Sequence, residues 1–182
     1  LIGMLLSDGS VYYDRSKNVY CIQFTNKNKI LLDIFKDLMY KCFGVKKFYE
    51  NKCKNALNIR VFSTKIAKIL FSYSPSFRTL PCKSFPKANE KSFIGKPIVI
   101  NSIEYPPCKI PDEILGNKQF VISFLKAFAS CDGSFTVNKK YSIYRVEITC
   151  YHPILRDQIS KCLESLELQT RSTEKAVFVS GF

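Results

Sequence analysis

Two Asp-Gly pairs follow apolar segments of helical character in this sequence. The first segment, LIGMLLSDG, occupies residues 1–9, and the second, LKAFASCDG, occupies residues 125–133. A carboxylate at the C-terminal end of a helix lies in an unfavourable field, and a second carboxylate beside it adds repulsion. A divalent cation such as Mg²⁺, which binds carboxylate and phosphate oxygens, would relieve both. If the segments meet, Asp8 and Asp132 form a metal site; if they do not, each Asp-Gly pair is only a turn.

Small residues recur four positions apart in both segments. Gly3 and Ser7 do so in the first segment, and Ala127 and Cys131 do so in the second. Rows of this kind let two helix backbones approach closely. We therefore expect the two helices to pack in parallel through these four residues. The glycine of each Asp-Gly pair is expected to end its helix in the left-handed conformation.

The two segments resemble the motif of the LAGLIDADG homing endonucleases and fill all its positions twice. The earlier Asp of the motif is replaced by Leu6 in the first copy and by Ser130 in the second. The resemblance implies an α+β fold of two pseudo-symmetric αββαββα repeats, with the motif helices at the inter-repeat interface and antiparallel sheets that form a DNA-binding saddle. It also implies that Asp8 and Asp132 are catalytic ligands of Mg²⁺, for which Mn²⁺ or Ca²⁺ can substitute.

The activity implied by the resemblance is site-specific cleavage of both strands of a long double-stranded DNA target. The protein would act as a monomer, and its gene would lie within an intron or be free-standing. The leading alternative is an RNA-binding maturase of the same fold that assists splicing, and another is a repressor-like DNA binder that does not cut.

The family also carries a basic residue near each metal site, which makes Lys109, just before Ile110-Pro111, a catalytic candidate. Asn26 matches a position that orients water in the family, and its counterpart in the second half is Cys150.

The composition favours an acidic macromolecular partner. The 182 residues include 28 Lys and Arg against 15 Asp and Glu, which gives a formal net charge of +13. This charge favours nucleic acid as the partner, with a basic protein lacking such a partner as the alternative. No apolar run reaches the length of about 18 residues that a transmembrane helix needs.

The eight cysteines show neither a CxxC pair nor the spacing of a zinc site. We therefore predict reduced thiols in an intracellular protein of a prokaryotic cytoplasm or an organelle, with a disulfide as the minority alternative. His152 has no partner for a metal site or a catalytic triad and is expected at the surface or at the start of a helix.

The rest of the chain repeats with the same spacing as the aspartates. Asp132 lies 124 residues after Asp8, and strand and helix patterns align at this offset. Helix 29–43 is predicted to end at Gly44 and to carry Ile30, Ile34, Leu38 and Cys42 on one face. The predicted strands are residues 10–14, 19–25, 46–51, 56–62, 135–137, 143–149, 170–174 and 176–180.

The middle of the chain has a different character. Seven of the eight prolines lie between positions 75 and 111, which indicates an ordered connector rather than a flexible linker. We predict a first repeat at 1–74, a connector at 75–117 and a second repeat at 118–182. The repeat pattern calls for a further helix after the last strand, so we expect the sequence to be part of a longer protein.

Polar side chains alternate with apolar ones along the strands and face away from the predicted core. We predict that this outer face reads base edges, with an ordinary solvated sheet face as the alternative. Lys47 and Lys139 lie in turns beside the strands and are expected to contact phosphates. The predicted readout residues are Tyr12, Asp14, Cys21, Gln23, Thr25, Asn58, Arg60, Thr136, Asn138, Arg145, Glu147, Thr149 and Arg171.

Overall fold

The first half of the chain folds into a four-stranded antiparallel sheet with three helices. We describe a computed structural model that covers residues 1–84, 92–138, 140 and 143–180. A helix precedes each of the two hairpins of this half, and a third helix follows the second hairpin. The elements are α1 (Ile2–Leu6), β1 (Gly9–Asp14), β2 (Val19–Asn26), α2 (Lys29–Phe43), β3 (Tyr49–Cys53), β4 (Ala56–Phe62) and α3 (Thr64–Tyr73).

The connector and the second half follow. The connector contains a 3₁₀ turn at Cys82–Ser84, a small hairpin and a short helix, and the second half then repeats the order helix, hairpin, helix, hairpin. The elements are β5 (Ile98–Ile100), β6 (Ile103–Tyr105), α4 (Asp112–Leu115), α5 (Lys118–Asp132), β7 (Gly133–Asn138), β8 (Ile143–Thr149), α6 (Pro153–Glu164), β9 (Thr170–Ser172) and β10 (Ala176–Ser180).

The two main sheets have the same topology. The strand order is β1-β2-β4-β3 in the first and β7-β8-β10-β9 in the second. The first hairpins also keep the same register, because Val11 pairs with Ile22 and, 124 residues later, Phe135 pairs with Val146. The predicted α+β fold of two repeated halves with antiparallel sheets is therefore confirmed.

The buried face of α2 differs from the prediction. Ile30, Ile34 and Cys42 are exposed, whereas Leu32, Phe35 and Met39 are buried. The Phe35 ring stacks on Phe24 of β2, with centroids 4.9 Å apart. Two apolar rows compete on this helix, and the row that meets the aromatic centre of the sheet is the one that packs.

The glycines after the two aspartates are required for a different reason from the one predicted. Gly133 is extended, with φ −91° and ψ 150°, and Gly9 is the first residue of β1. A Cβ on Gly9 would lie 2.5 Å from the Leu5 Cα, and a Cβ on Gly133 would lie 2.2 Å from the Ala129 carbonyl oxygen. Each strand turns back so closely against its own helix that only a residue without a Cβ fits. Gly44 does end α2 in the left-handed conformation, at φ 67°.

The connector is tied to the second half through buried groups. His152 starts α6, as one of the two predicted options had it, but it is buried rather than on the surface. Its Nδ1 accepts from the Leu155 N–H at 3.3 Å, and its Nε2 lies 2.8 Å from the Pro106 carbonyl oxygen. The Ile110 N–H donates to Gln158 Oε1 at 2.8 Å.

Each of the eight cysteines lies in the described part of the chain and is free.

Helix dimensions bear on membrane association. None of the helices in the described part of the chain combines the length and the apolar character that crossing a bilayer requires.

Candidate functional site

The motif helices α1 and α5 touch at Gly3. A Cβ on Gly3 would lie 2.7 Å from the Phe124 carbonyl oxygen and 3.1 Å from the Ala127 Cβ. Backbone therefore meets backbone at this point, and no larger residue fits without displacing a helix. The apolar neighbours of the crossing, including Leu5 and Phe128, belong to one core that both repeats share.

The two helices also meet through a polar contact at their C-terminal ends. Ser7 Oγ, from the first repeat, donates a hydrogen bond of 2.5 Å to Asp132 Oδ2 of the second. Cys131 lies beside the same group, and burial raises the pKa of its thiol to about 12. Of the four residues predicted at the helix interface, Gly3 and Ala127 thus meet in a close backbone approach, whereas Ser7 and Cys131 lie at the acidic end of the interface.

Asp8 lies just after α1 and is held by the second strand. Asn26 Nδ2 donates to Asp8 Oδ2 at 2.5 Å, and the Thr25 N–H donates to the Asp8 carbonyl oxygen at 3.1 Å. The Asn26 side-chain oxygen accepts from the Asn28 N–H at 2.7 Å, which fixes the orientation of the amide. The structure therefore brings Asp8 and Asn26 together, although the sequence motif alone did not predict this contact.

Both aspartates are partly buried, and their ionised forms are disfavoured. Desolvation, together with the charge of Asp132, raises the pKa of Asp8 to about 6, against the opposing effect of Asn26. Desolvation also raises the pKa of Asp132, against the opposing hydrogen bond from Ser7. Two carboxylates that repel each other in a partly desolvated position form a site where a cation gains much from binding.

A cationic side chain that the sequence analysis missed lies beside this site. Arg78 and Asp8 line a common cavity of about 210 Å³, which Gln23 and Thr79 also line. The Arg78 guanidinium lies 5.2 Å from the centre of the Tyr12 ring, and burial lowers its pKa. Arg78 belongs to the proline-rich connector, where no periodicity indicated which residues fold back onto the sheet.

Lys109 has different surroundings from those predicted. Its ammonium group pairs with Asp112 Oδ2 at 2.9 Å, at the exposed start of α4. Its backbone N–H donates to Ser74 Oγ at 3.3 Å. The prediction that Lys109 serves the metal site is therefore not supported by its contacts, because the side chain is turned toward the surface carboxylate.

Four of the predicted readout residues form a hydrogen-bonded row on the outer face of the first sheet. Tyr12 Oη and Arg60 Nε each donate to Gln23 Oε1 at 3.2 Å. Gln23 Nε2 lies 3.5 Å from Thr25 Oγ1, and Asp14 caps the β1–β2 turn by accepting from Ser16. These polar groups lie on one surface, as the alternation of the strands predicted.

Two predicted readout residues of this face do not reach solvent, which corrects the prediction. Cys21 is fully buried because its cross-strand neighbours are the aromatic residues Tyr12 and Phe62. Asn58 is also buried, between Thr25 and Asn51 on the adjacent strands, and its side-chain oxygen has no hydrogen-bond partner among the described residues. Alternation alone places both residues on the outer face, but the side chains on the adjacent strands decide what is accessible.

The outer face of the second sheet is polar and more open. Arg145 lies over the Phe178 ring at 4.7 Å, and its Nη2 is 3.7 Å from Glu147 Oε2. Register places four other predicted residues on the same face, and Lys139 lies outside the described residues. The four are Thr136, Asn138, Thr149 and Arg171.

Lysines gather in a cleft between α2 and the β3–β4 hairpin, beside the first sheet. The cleft has a volume of about 490 Å³. Lys36 pairs with Glu50 at 2.5 Å, and the Lys47 ammonium lies 5.4 Å from the centre of the Tyr49 ring next to the cleft. The lysines that line it are Lys27, Lys29, Lys36, Lys52 and Lys54.

Sequence comparison identifies the family. The model of the family described as LAGLIDADG-like domain matches residues 1–73 and 119–178. These segments cover both motif helices except Lys118, and both main sheets except the last two residues of β10. The chain therefore belongs to the LAGLIDADG family. Comparison with curated proteins found no match.

Solved structures resemble the whole chain. The homing endonuclease I-DmoI in complex with DNA and Mn is 15% identical, with a TM-score of 0.60 over 99% of this chain and 86% of that one. Full-length DUF199/WhiA from Thermatoga maritima is 14% identical, with a TM-score of 0.55 over 100% of this chain and 49% of that one. The N-terminal LAGLIDADG domain of DUF199/WhiA is 12% identical, with a TM-score of 0.53 over 100% and 73%. At these identities the likeness establishes the fold.

Proposed function

We propose that this protein is a monomeric, site-specific endonuclease that cleaves both strands of double-stranded DNA. The observation that carries the proposal is the meeting of Asp8 and Asp132, one from each repeat, at the C-terminal ends of two closely packed helices. Two acidic groups related by the repeat suit a substrate that is itself two-stranded. The DNA-bound relative I-DmoI supports the same conclusion.

The residues at the site suit Mg²⁺. Among the described residues no cluster of three or more His, Cys, Asp or Glu side chains exists that could hold a metal by itself. Mg²⁺ typically takes one or two carboxylates and completes its shell with water and substrate phosphate oxygens. Asp8 and Asp132 would therefore hold the ion only incompletely, and DNA would supply the remaining ligands; Mn²⁺ or Ca²⁺ would fit the same oxygens.

Each side chain of the site has a distinct part in the proposed hydrolysis. When bound, the metal would lower the pKa of a water molecule and stabilise the leaving oxygen. Asp8 and Asp132 provide negative charge, Asn26 holds the Asp8 carboxylate in position, and Ser7 holds that of Asp132. The basic residue beside the metal site at Asp8 is assigned to Arg78 rather than to Lys109, because Arg78 shares a cavity with Asp8.

DNA recognition is assigned to the polar outer faces of the two sheets, which would form the two sides of a saddle on the duplex. Arg and Gln on these faces have preferred partners among base edges in the major groove. Lys47, Lys139 and the lysine cleft would contact phosphates, in line with the net charge of +13. The accessible candidates are Tyr12, Asp14, Gln23, Thr25, Arg60, Thr136, Asn138, Arg145, Glu147, Thr149 and Arg171.

The proposal also assigns a part to each of three segments of the chain. We assign a first DNA-binding repeat to residues 1–74, a connector to 75–117 and a second repeat to 118–182. One chain would then cover both halves of a long, asymmetric target, as expected for an intron-encoded or free-standing homing endonuclease.

The proposal can be tested before the target sequence is identified. Bound sequences are selected from a random duplex library in Ca²⁺ and then incubated with Mg²⁺, with EDTA in a parallel reaction. We expect discrete double-strand breaks only with Mg²⁺, and none from an Asp8→Asn, Asp132→Asn double variant purified in the same way. Selected DNA that is bound but never cut would overturn the enzyme assignment, and binding to RNA alone would favour the maturase.

A further inference from the structure

The outer face of the first sheet becomes aromatic toward the β1–β2 turn. Tyr12 of β1 and Phe62 of β4 face each other across β2, on the same face as Gln23. Tyr49 on the edge strand β3 contacts Phe62 edge-on, with ring centroids 5.3 Å apart. We call Tyr12, Phe62 and Tyr49 the aromatic patch.

A cationic group lies over each ring of the aromatic patch. Such contacts are attractive because the face of an aromatic ring carries negative charge density. Lys17 and Lys47 are exposed, so their ammonium groups are also accessible to a ligand. The distances from cationic group to ring centre are 3.8 Å for Lys17 over Phe62, 5.4 Å for Lys47 over Tyr49 and 5.2 Å for Arg78 over Tyr12.

The β1–β2 turn determines the position of Lys17. Asp14 Oδ1 accepts from the Ser16 N–H at 3.0 Å and from the Lys17 N–H at 3.3 Å. Asn18 then takes the left-handed conformation, at φ 50°. The turn is thus held by local hydrogen bonds, and the Lys17 side chain lies back over Phe62 of β4.

The second sheet has polar residues where the first sheet has the aromatic patch. The offset of 124 residues and the strand register place Thr136, Arg171 and Ser180 at the positions of the three rings. A duplex-reading surface shared by both repeats does not account for rings in one sheet and polar residues at the same positions of the other. The aromatic patch therefore indicates a contact that only the first repeat makes.

The chemistry of the aromatic patch suits unpaired bases. Within a duplex the faces of the bases are covered by their neighbours, and only the edges are accessible. An unpaired base offers its face to an aromatic ring, and the adjoining phosphate offers its charge to a lysine; surfaces that bind single strands combine these two contacts. An apolar protein surface suits the patch poorly, because it would desolvate the cations without pairing them.

We propose that the aromatic patch binds unpaired bases of single-stranded DNA, with stacking on the rings and phosphate contacts from Lys17 and Lys47. Tyr49 is 47% exposed and is the most accessible of the three rings, so it would hold the first base. Tyr12 Oη donates to Gln23 of the readout row, so a strand that leaves the duplex would reach the patch directly. The inference rests on the proposed contact of the outer face with DNA, but it concerns a different form of DNA.

The sequence contains no tryptophan, which gives the test a direct signal. Tyr49→Trp places a single indole in the aromatic patch, and a base that stacks on the indole quenches its fluorescence. In EDTA, a thymine oligonucleotide of about 12 nucleotides, within the usual range of single-strand sites, should quench strongly. A strand of equal length built from abasic sites carries the same phosphates and should not quench. A duplex of equal length should quench much less.

Alanine variants measure the affinity itself. Tyr49→Ala should weaken binding of the thymine oligonucleotide by about 5–150-fold in fluorescence anisotropy, the loss expected for one stacked base. The matched control is Tyr40→Ala, which removes a tyrosine that is 53% exposed on α2, and it should leave the affinity unchanged. Both variants should keep the Tm of the wild type, because both side chains are exposed.

Three results would overturn the proposal: equal affinity for the abasic strand, equal quenching by the duplex, or quenching by an RNA oligonucleotide alone. The nuclease assignment is tested separately, because every titration is done in EDTA. A chain that cuts selected duplexes in Mg²⁺ but shows no quenching would refute this inference alone. Quenching in a chain that never cuts would support this inference and refute the nuclease assignment.

Discussion

The two aspartates occupy equivalent positions but have unequal surroundings. Asp8 is held by Asn26 of its own repeat and opens into a cavity with Arg78. Asp132 is held by Ser7 of the other repeat. At the position equivalent to Asn26 the second repeat has Cys150, a buried thiol whose pKa burial raises to about 12 and which is a weak hydrogen-bonding group.

This difference indicates that the first repeat supplies polar support to both halves of the site. The two repeats share the sheet topology and each has a carboxylate at the same position, whereas the groups that orient the carboxylates differ. Under the proposed function we therefore expect the two DNA strands to be cut at different rates. The following variants test that comparison.

The largest effect is expected when either carboxylate is removed. Asp8→Asn and Asp132→Asn keep the shape of the side chain but lose the charge that a hard cation needs, so each should abolish double-strand cleavage. Binding of the selected duplex in Ca²⁺ or EDTA should persist. Supercoiled plasmid carrying the target separates intact, nicked and linear products.

The nicked product distinguishes two arrangements of the site. If each aspartate serves its own strand, each single variant should still nick the opposite strand. If both aspartates share a central ion, both cuts should fail together. Linear product from either single variant at the normal rate would contradict the metal assignment.

The helix crossing should be the next most sensitive feature. Gly3→Leu places a side chain where even a Cβ approaches the Phe124 carbonyl oxygen within 2.7 Å. Overpacking of this kind costs about 1–3 kcal/mol of unfolding free energy. Misplacing the carboxylates by ~1 Å should cost about 100-fold in cleavage rate. As a control, Gly116→Ala, where a Cβ would meet its nearest neighbour at 3.4 Å, should leave cleavage nearly unchanged.

A strand-resolved assay tests the asymmetry directly. Asn26→Ala removes the amide that holds Asp8, a charge-assisted hydrogen bond worth about 1.5–3 kcal/mol, so one strand should be cut about 10–100-fold more slowly. Cys150→Ala, the matched change in the second repeat, should alter neither rate by much. Equal slowing of both strands by Asn26→Ala would mean that the two halves act as one unit.

A smaller effect is expected in target recognition. Arg145→Ala should lose about 1–3 kcal/mol of discrimination at one base pair while leaving the other positions unchanged. Lys47→Ala should weaken binding to all duplexes alike and lower its dependence on salt. Quantitative binding to single-base variants of the selected target measures both. A uniform loss in Arg145→Ala would place Arg145 on phosphate rather than on a base.

The pH dependence of folding gives the smallest effect. The pKa of Asp8 is raised to about 6 by burial, so the ionised carboxylate costs stability that the protonated form does not. Stability should fall as pH rises from about 4 to 6. Because solvent screens this partly exposed carboxyl, Asp8→Asn should be more stable than the wild type by only about 1–2 kcal/mol at pH 7.5. The difference should vanish near pH 4 in urea unfolding curves.

Asp14→Asn is a control in which the expected change in stability has the opposite sign. The hydrogen bond from Ser16 lowers the pKa of this exposed carboxyl. Asp14→Asn should therefore lose a little stability at neutral pH and none in acid. A gain at neutral pH in both variants would show that the loss of any carboxylate is stabilising, rather than relief of the crowding of the two aspartates.

Local chemistry made much of the fold predictable. The α2 boundaries and its left-handed end at Gly44 follow from periodicity and glycine chemistry, and both agree with the structure. The strand pairs follow from alternation and from the repeat. The buried face of α2 was predicted wrongly, because the helix has two apolar rows. The row that packs is the one that meets Phe24 of β2, and the sequence of the helix alone does not reveal this contact.

The candidate site was predictable only as far as the motif extends. Asp8 and Asp132 are marked by their matched contexts. The Ser7 contact to Asp132, by contrast, joins residues 125 positions apart, and Arg78 lies in a segment without periodicity. The accessibility of Cys21 depends on two aromatic neighbours from different strands. Contacts of this kind are decided by tertiary packing, which no local pattern encodes.

The contact between Gly3 and Phe124 has a consequence for engineered chimaeras. Each repeat looks like a module that could be exchanged with that of a relative, which under the proposed function would combine two half-sites. Yet Gly3 approaches the backbone of α5 too closely to carry a side chain, and Ser7 donates a hydrogen bond to a carboxylate of the opposite module. A productive exchange would have to transfer the matched faces of α1 and α5 together, with the module boundary drawn outside both helices.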